Sequence, residues 1–235
     1  MRSSVECNAL QATVNSRLRG GLTLLSNFTW DKSLDLGGSG PQNQFDFASN
    51  YGNSSSTRPY TWVSAATWAL PISRGKPLGS NLSRAADTLV GGWQVSGIAN
   101  FEAGQYFTPG LANNASLNST ISLRPNRNGS GKVASPNRHL WFNPEDFSVP
   151  APFVYGNSGR DILLGPRFFS TDLSIGKSIA ITERTHLDLR WDTFNALNNT
   201  NLSAPNSSVD TSTAGQITGT VDFPRRMQIG AHLTF

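Results

Sequence analysis

The stretch Arg225–Phe235, RRMQIGAHLTF, decides how the rest of this chain is interpreted. Its residues alternate between two sides. One side is apolar, with Met227, Ile229, Ala231, Leu233 and Phe235. The other side is polar or small, with Arg226, Gln228, Gly230, His232 and Thr234. A period of two residues predicts a β-strand with one apolar and one polar face.

The same alternation recurs along the chain and predicts an all-β, antiparallel protein. We expect strands near residues 8–17, 22–33, 60–70, 91–105, 168–181, 186–197 and 225–235. Lys177 is an exception, because it falls among the apolar residues of its strand.

The lengths of the connections follow a pattern. Residues 19–21 and 182–184 form tight turns, whereas 34–58, 107–166 and 198–224 form long polar loops. If Phe235 lies on the periplasmic side, every tight turn is periplasmic and every long loop is external, as in outer-membrane barrels. Only the connection at 71–89, which has room for a short helical turn, is longer than expected for a connection on the periplasmic side. The pattern therefore favours a transmembrane β-barrel segment.

Composition is compatible with a barrel and excludes several other classes. Apolar residues make up 37% and charged residues 14% of the chain, against typical values of about 45–50% and 25%. No apolar run reaches the roughly 18–20 residues of a spanning helix. The basic residues form no block interleaved with aromatics, so we expect no nucleic-acid partner. A soluble, secreted, lectin-like β-sandwich remains the alternative, since its strands also alternate.

Seven strands of this length are expected to be part of a larger barrel. Bacterial single-chain barrels have an even number of strands, with both chain ends on the periplasmic side. We therefore expect further strands before residue 1, which would also account for the lack of a signal peptide at Met1–Ser4.

Several motifs resemble those of TonB-dependent receptors of the Oar-like type, and they occur in the correct order. They are Leu18–Thr23 (LRGGLT), Phe28–Ser33 (FTWDKS), Gly91–Ile98 (GGWQVSGI), Gly104–Pro109 (GQYFTP), Gly165–Ser174 (GPRFFSTDLS), Ile181–Arg184 (ITER) and Phe194–Asn198 (FNALN). The segment Ser55–Pro59 departs from the more charged pattern of that family. The last strand, with Gln228, Gly230, Leu233 and Phe235, resembles the terminal signal that the barrel-assembly machinery recognises.

The resemblance implies a barrel of about 22 strands with a plug in its lumen, of which this chain is the carboxy-terminal part. Its partners would be outer-membrane lipid, the barrel-assembly machinery, the TonB complex through the missing plug, and an unknown ligand on the external loops. Without plug and coupling box, the segment is not expected to transport by itself.

The strand pattern also assigns residues to positions in such a barrel. Polar residues that face the lumen would be Asp188, Arg190, Asp192 and His232. Aromatic residues at the membrane interface would be Trp30, Trp62, Trp68, Trp93 and Trp191. The chain lacks a Gly-x-Ser-x-Gly elbow, and its histidines lack metal-ligand spacing, so we expect no enzymatic activity, no cofactor and no metal.

Overall fold

In a computed structural model of the chain, which describes residues 5–37, 40–113, 123–182 and 184–235, seven long strands dominate. The long strands are β1 (Glu6–Leu18), β2 (Leu22–Asp35), β4 (Tyr60–Ala69), β5 (Trp93–Glu102), β10 (Phe168–Ala180), β11 (His186–Phe194) and β12 (Arg226–Thr234). Met1–Ser4, the turn residue Glu183 and part of the loop 107–166 lie outside the described residues.

The seven strands form one sheet in chain order, β1-β2-β4-β5-β10-β11-β12, and every neighbouring pair is antiparallel. The predicted all-β antiparallel fold is therefore confirmed. The register keeps like faces together: Leu22 lies opposite Trp68, Trp68 opposite Val95, and Val95 opposite Ile175. Most apolar residues of the strands thus lie on one continuous apolar face and most polar residues on the other. Exceptions on the polar face include Leu25, Val63 and Ile98.

The apolar face is not covered by a second layer. Leu10 is 59% exposed, Trp62 51% and Ile229 84%. A β-sandwich requires two sheets packed face to face, but the long strands of the described residues lie in a single layer. The sandwich alternative does not fit this arrangement.

The sheet is open. Among the described residues, β1 pairs only with β2 and β12 only with β11, so both outer strands have a free hydrogen-bonding edge. The seven strands by themselves do not close into a barrel.

Two strands are shorter than the sequence predicts by three or more residues, for reasons of backbone geometry. The strand expected at 91–105 begins at Trp93, because Gly92 adopts a φ of +70°. It ends at Glu102. Just beyond this end, the backbones at Gly104 and Gly165 are so close that a Cβ on Gly104 would lie 1.8 Å from the carbonyl oxygen of Gly165. The strand expected at 186–197 ends at Phe194, because Asn195 adopts a left-handed φ of +48°.

The three long loops leave the same end of the sheet and contain short elements. These are the strands β3 (Gly52–Asn53), β6 (Tyr106–Phe107), β7 (Asn126–Arg127), β8 (Phe147–Ser148) and β9 (Leu163–Leu164), and the 3-10 helices Ala48–Asn50 and Pro144–Asp146. β3 pairs with β2, β6 with β9, and β7 with β8. The described residues of the long loop predicted at 107–166 thus contain two short antiparallel ladders.

The opposite end carries the short connections and the single α-helix of the described residues, α1 (Arg84–Val90). Ser83 caps the helix by accepting a hydrogen bond from the backbone NH of Ala86. At the other end of α1, Lys177 donates from Nζ to the carbonyl oxygens of Leu89 (2.9 Å) and Gly91 (2.8 Å). Its ammonium group also lies 4.6 Å from the centre of the Trp93 ring. Lys177, the charged residue among the apolar residues of its strand, therefore anchors the carboxyl end of α1.

Candidate ligand-binding surface

The polar face of the sheet carries a small ionic network on β10, β11 and β12. Arg190 donates from Nε to Asp192 Oδ1 (2.6 Å) and to Ser174 Oγ (3.1 Å). Gln228 donates from Nε2 to the second oxygen of Asp192 (3.1 Å). Asp192 is thus held on both carboxylate oxygens, while the Arg190 side chain is 67% exposed and free to meet a solute.

Asp188 and His232, two other residues predicted to face a lumen, lie opposite each other on β11 and β12. No hydrogen bond joins them in the described part of the chain, and His232 Nδ1 instead lies 3.3 Å from Thr234 Oγ1. Of these four residues, only Arg190 and Asp192 are joined by an ion pair in the described chain. All four residues share the polar face of the sheet, and their exposure to a lumen stays a prediction.

The five predicted interface aromatics all belong to the apolar face. Trp30 and Trp62 lie towards the end with the long loops, and Trp68 and Trp93 towards the end with the short connections. Trp191 lies further inside its strand, opposite Ile175 and Ile229. The register gives two aromatic zones and one inner tryptophan, and their depth in a membrane stays a prediction.

The residues of the predicted terminal signal divide between the two faces. Gln228 and Gly230 lie on the polar face and Leu233 on the apolar face of β12. Phe235 follows the last residue of the strand and is 94% exposed. Recognition of this strand by the barrel-assembly machinery stays a prediction.

The long loops pack together into a cap, a feature that sequence reasoning missed. Here the cap means residues 36–59, 103–167 and 195–225 of the described chain. Its buried centre is Arg160, which forms ion pairs with Asp35 and Asp161. Arg160 also donates from Nε to the carbonyl oxygen of Asn50 (2.9 Å). One guanidinium group thus ties the longest loop to the loop that follows β2.

A second tie joins the same two loops. Gln42 donates from Nε2 to the carbonyl oxygen of Gly156 (2.9 Å) and accepts from the backbone NH of Arg124 (2.7 Å). Arg124 is itself buried and donates from Nη1 to the carbonyl oxygen of Ser49 (3.2 Å). Burial, and then the nearby Arg160 charge, lower the pKa of Arg124.

An apolar cluster supports the cap from within. Phe142, Phe147 and Leu163 are buried together, and Phe107, Ile162 and Val209 pack against them. The Phe142 ring lies 6.1 Å from the Phe147 ring in an edge-on arrangement. Because these residues come from two different loops, the cluster links the longest loop to the last one.

The last loop is also held by Asp210. Its carboxylate accepts hydrogen bonds from the backbone NH groups of Ala112 (2.7 Å) and Asn113 (2.8 Å). Burial alone would raise the pKa of Asp210, but these donors outweigh it and lower the pKa below its ordinary value. Together with Arg160 and Gln42, Asp210 makes the three loops one connected surface.

Two recesses lie where the cap meets the sheet. One, of about 460 Å³, lies above the polar face and is lined by residues that include Asp172, Phe194, Asp222, Phe223 and Arg226. The other, of about 260 Å³, is lined by residues that include Arg58, Tyr106, Phe168 and Arg167. Carboxylates, guanidinium groups and aromatic rings suit the binding of a polar solute.

No group of three or more His, Cys, Asp or Glu side chains among the described residues is arranged to hold a metal ion. In the same part of the chain, no helix is long and apolar enough to cross a membrane.

Comparison with known proteins gives one family. A family model described as "Outer membrane beta barrel domain" matches residues 2–228, which is nearly the whole chain. Comparisons with curated proteins and with solved structures give no match.

Proposed function

Since the chain belongs to the outer membrane beta barrel domain family and thus to the bacterial outer membrane, we propose that it is part of a TonB-dependent receptor. In this proposal the seven strands form part of the barrel wall, and the cap is an external ligand-binding surface. The receptor would be of the Oar-like type, in keeping with the motifs at Leu18–Thr23 and Gly91–Ile98.

The observation that carries the proposal is the position of the cap. All three long loops leave one end of the sheet and are tied together by Arg160, Gln42 and Asp210. Outer-membrane barrels place long loops on the external side and short turns on the periplasmic side. An external surface of linked loops with polar recesses is suited to capturing a solute before its passage.

The open edges of β1 and β12 support a wall larger than seven strands. Unpaired backbone groups cost several kcal/mol each in lipid, so both edges require strand partners. We place the plug and the TonB coupling segment outside these residues, because the described chain is accounted for by the sheet, its connections and the cap. The terminal strand β12 would be presented to the barrel-assembly machinery. We propose binding rather than catalysis, with no cofactor.

Labelling of single cysteines tests the orientation. In a Cys7→Ser background, Lys132→Cys lies exposed in the longest loop and Lys76→Cys lies exposed in the connection before α1. A membrane-impermeant maleimide added to intact cells should label position 132 and should reach position 76 only after the outer membrane is permeabilised. The reverse pattern would contradict an external cap.

Binding to the purified periplasmic domain of TonB tests the coupling route. Residues 1–235 alone should not bind this domain, because the proposal assigns the contact to a plug. The coding DNA before residue 1 should specify that plug. A stable complex of residues 1–235 with TonB, or upstream DNA without a plug, would refute the assignment.

A further inference from the structure

The end of the sheet opposite the cap is a basic surface, which we call the short-connection rim and define as residues 17–21, 70–92, 181–182 and 184–185. By sequence, these segments and the intervening Glu183 contain six of the chain's 19 Lys and Arg residues and two of its 15 Asp and Glu residues. The six bases are Arg17, Arg19, Arg74, Lys76, Arg84 and Arg184. They are scattered in sequence, but the order of the strands brings their connections to one edge of the sheet.

These bases form no ion pairs within the described chain, although the charge of Arg74 acts on the carboxylate of Asp87. All six are exposed, and none lies within ion-pair distance of a described carboxylate. The ion pairs that do form lie elsewhere, in Arg58–Glu102, Arg160–Asp35, Arg160–Asp161 and Arg190–Asp192. The rim carboxylate of Asp87 is occupied by the hydroxyl of Ser73 (2.8 Å) and the backbone NH of Arg74 (2.7 Å).

Apolar side chains lie exposed among the charges. Leu78 is 57% exposed and Leu89 is 73% exposed. Lys177 and Trp93 both hold the carbonyl oxygen of Leu89, and therefore fix the carboxyl end of α1 against the apolar face of the sheet. The rim thus continues the apolar face and adds guanidinium and ammonium groups at its border.

We propose that the short-connection rim binds the head groups of anionic phospholipids in the periplasmic leaflet. Guanidinium groups pair with phosphate through two parallel hydrogen bonds, and exposed leucines beside them suit the boundary between head groups and acyl chains. Continuity with the lipid-facing sheet favours a lipid over a soluble anion. The proposal depends on the membrane location and on the orientation of the sheet, and it is independent of the receptor class and its ligand.

The test compares lipid binding to the full chain in neutral detergent. Native mass spectrometry would measure binding of phosphatidylglycerol and of phosphatidylethanolamine to the wild type and to the Arg74→Gln/Lys76→Gln/Arg84→Gln variant. Removing one basic residue should weaken anionic lipid binding about fivefold, so the triple variant should lose about a hundredfold. Binding of phosphatidylethanolamine should stay unchanged.

A charge-matched control lies in the cap, where Lys132, Arg138 and Arg225 are also exposed and line neither recess. The Lys132→Gln/Arg138→Gln/Arg225→Gln variant should keep the preference for phosphatidylglycerol. Circular dichroism checks that each variant is folded. If the triple rim variant does not fold, Arg84→Gln alone should still show the fivefold loss.

Three results would overturn the proposal: equal binding of both lipids to the wild type, equal losses in the rim and control variants, or displacement of the lipid by millimolar inorganic phosphate. The last result would identify a site for free anions in place of a lipid surface.

Discussion

Arg160 and Asp35 form an ion pair although 125 residues separate them in the chain. Asp35 is the last residue of β2, and Arg160 lies near the end of the longest loop, so this contact fixes the cap to the sheet. The Arg160 side chain is only 8% exposed. A buried guanidinium that also pairs with Asp161 is difficult to replace without leaving two carboxylates uncompensated.

We predict that Arg160→Gln lowers the free energy of unfolding of the cap by about 3 kcal/mol, the usual cost of breaking a buried ion pair. Limited proteolysis should then cut the loop between β5 and β10 faster, while the sheet remains resistant. Arg138→Gln, at an exposed position of the same loop, serves as the control and should leave the cleavage rate unchanged. Equal protection of both variants would contradict the assigned role.

Gly156 is predicted to tolerate no side chain. A Cβ there would lie 2.0 Å from the carbonyl oxygen of Arg124 and 2.5 Å from that of Pro125. Gly156→Ala must separate two backbones, at a cost of about 1–3 kcal/mol in cap stability, and should weaken the bond from Gln42. Hydrogen exchange of the Arg124 amide reports the change. Gly110→Ala, whose added Cβ would lie 3.8 Å from its nearest neighbour, should leave exchange as in the wild type.

The contact of Asp210 with Ala112 and Asn113 should depend on pH. The pKa of Asp210 is lowered in the folded cap, so the carboxylate stabilises the fold above the ordinary pKa of about 4. This contribution is lost as the pH falls through the lowered value. Amide exchange at residues 112 and 113, corrected for the intrinsic rate, should rise at low pH in the wild type. In Asp210→Asn it should be fast already at neutral pH; slow exchange there would argue against the role of the carboxylate.

Lys177→Met is predicted to release α1 while preserving the sheet. The methionine keeps an apolar side chain on the apolar face but loses the hydrogen bonds to the carbonyl oxygens of Leu89 and Gly91. Hydrogen bonds from a charged donor stabilise a fold by about 1.5–3 kcal/mol each. Amide exchange of α1 should increase, whereas the denaturant midpoint of the whole chain should change little. Lys132→Met should affect neither quantity. A protected α1 in Lys177→Met would show that other contacts hold the helix.

A new charge should destabilise the fold on the apolar face of β12 but not on its polar face. Ile229→Arg places a guanidinium on the apolar face, where a midplane charge costs about 2–4 kcal/mol in a barrel. His232→Arg places the same group on the polar face, opposite Asp188, and should be nearly neutral. Unfolding by denaturant in phospholipid vesicles compares them. Similar losses for the two variants would show that the apolar face does not meet lipid.

The sheet was predictable because each strand repeats a local signal. Alternation places Trp191 and Asp192 on opposite faces without knowledge of any partner, and the register then follows from matching faces. The exception at Lys177 was visible in the sequence. Its explanation was not, because it requires the carbonyl oxygens of α1, a helix that the sequence only suggested.

The cap was not predictable, because its contacts have no period. Gln42 and Gly156 are separated by 114 residues, and nothing local to either residue indicates the other. The basic residues of the short-connection rim were interpreted as scattered for the same reason. Only the order of the strands shows that Arg19, Arg84 and Arg184 lie along one edge.

The free edges of β1 and β12 have a practical consequence for anyone who produces this polypeptide. A long row of unsatisfied backbone donors and acceptors is a template for any extended chain. Without a bilayer or detergent, and without its proper neighbours, the sheet should recruit further copies of itself edge to edge. Fibrous precipitation during refolding would then result from the same free strand edges that allow the sheet to become part of a closed barrel.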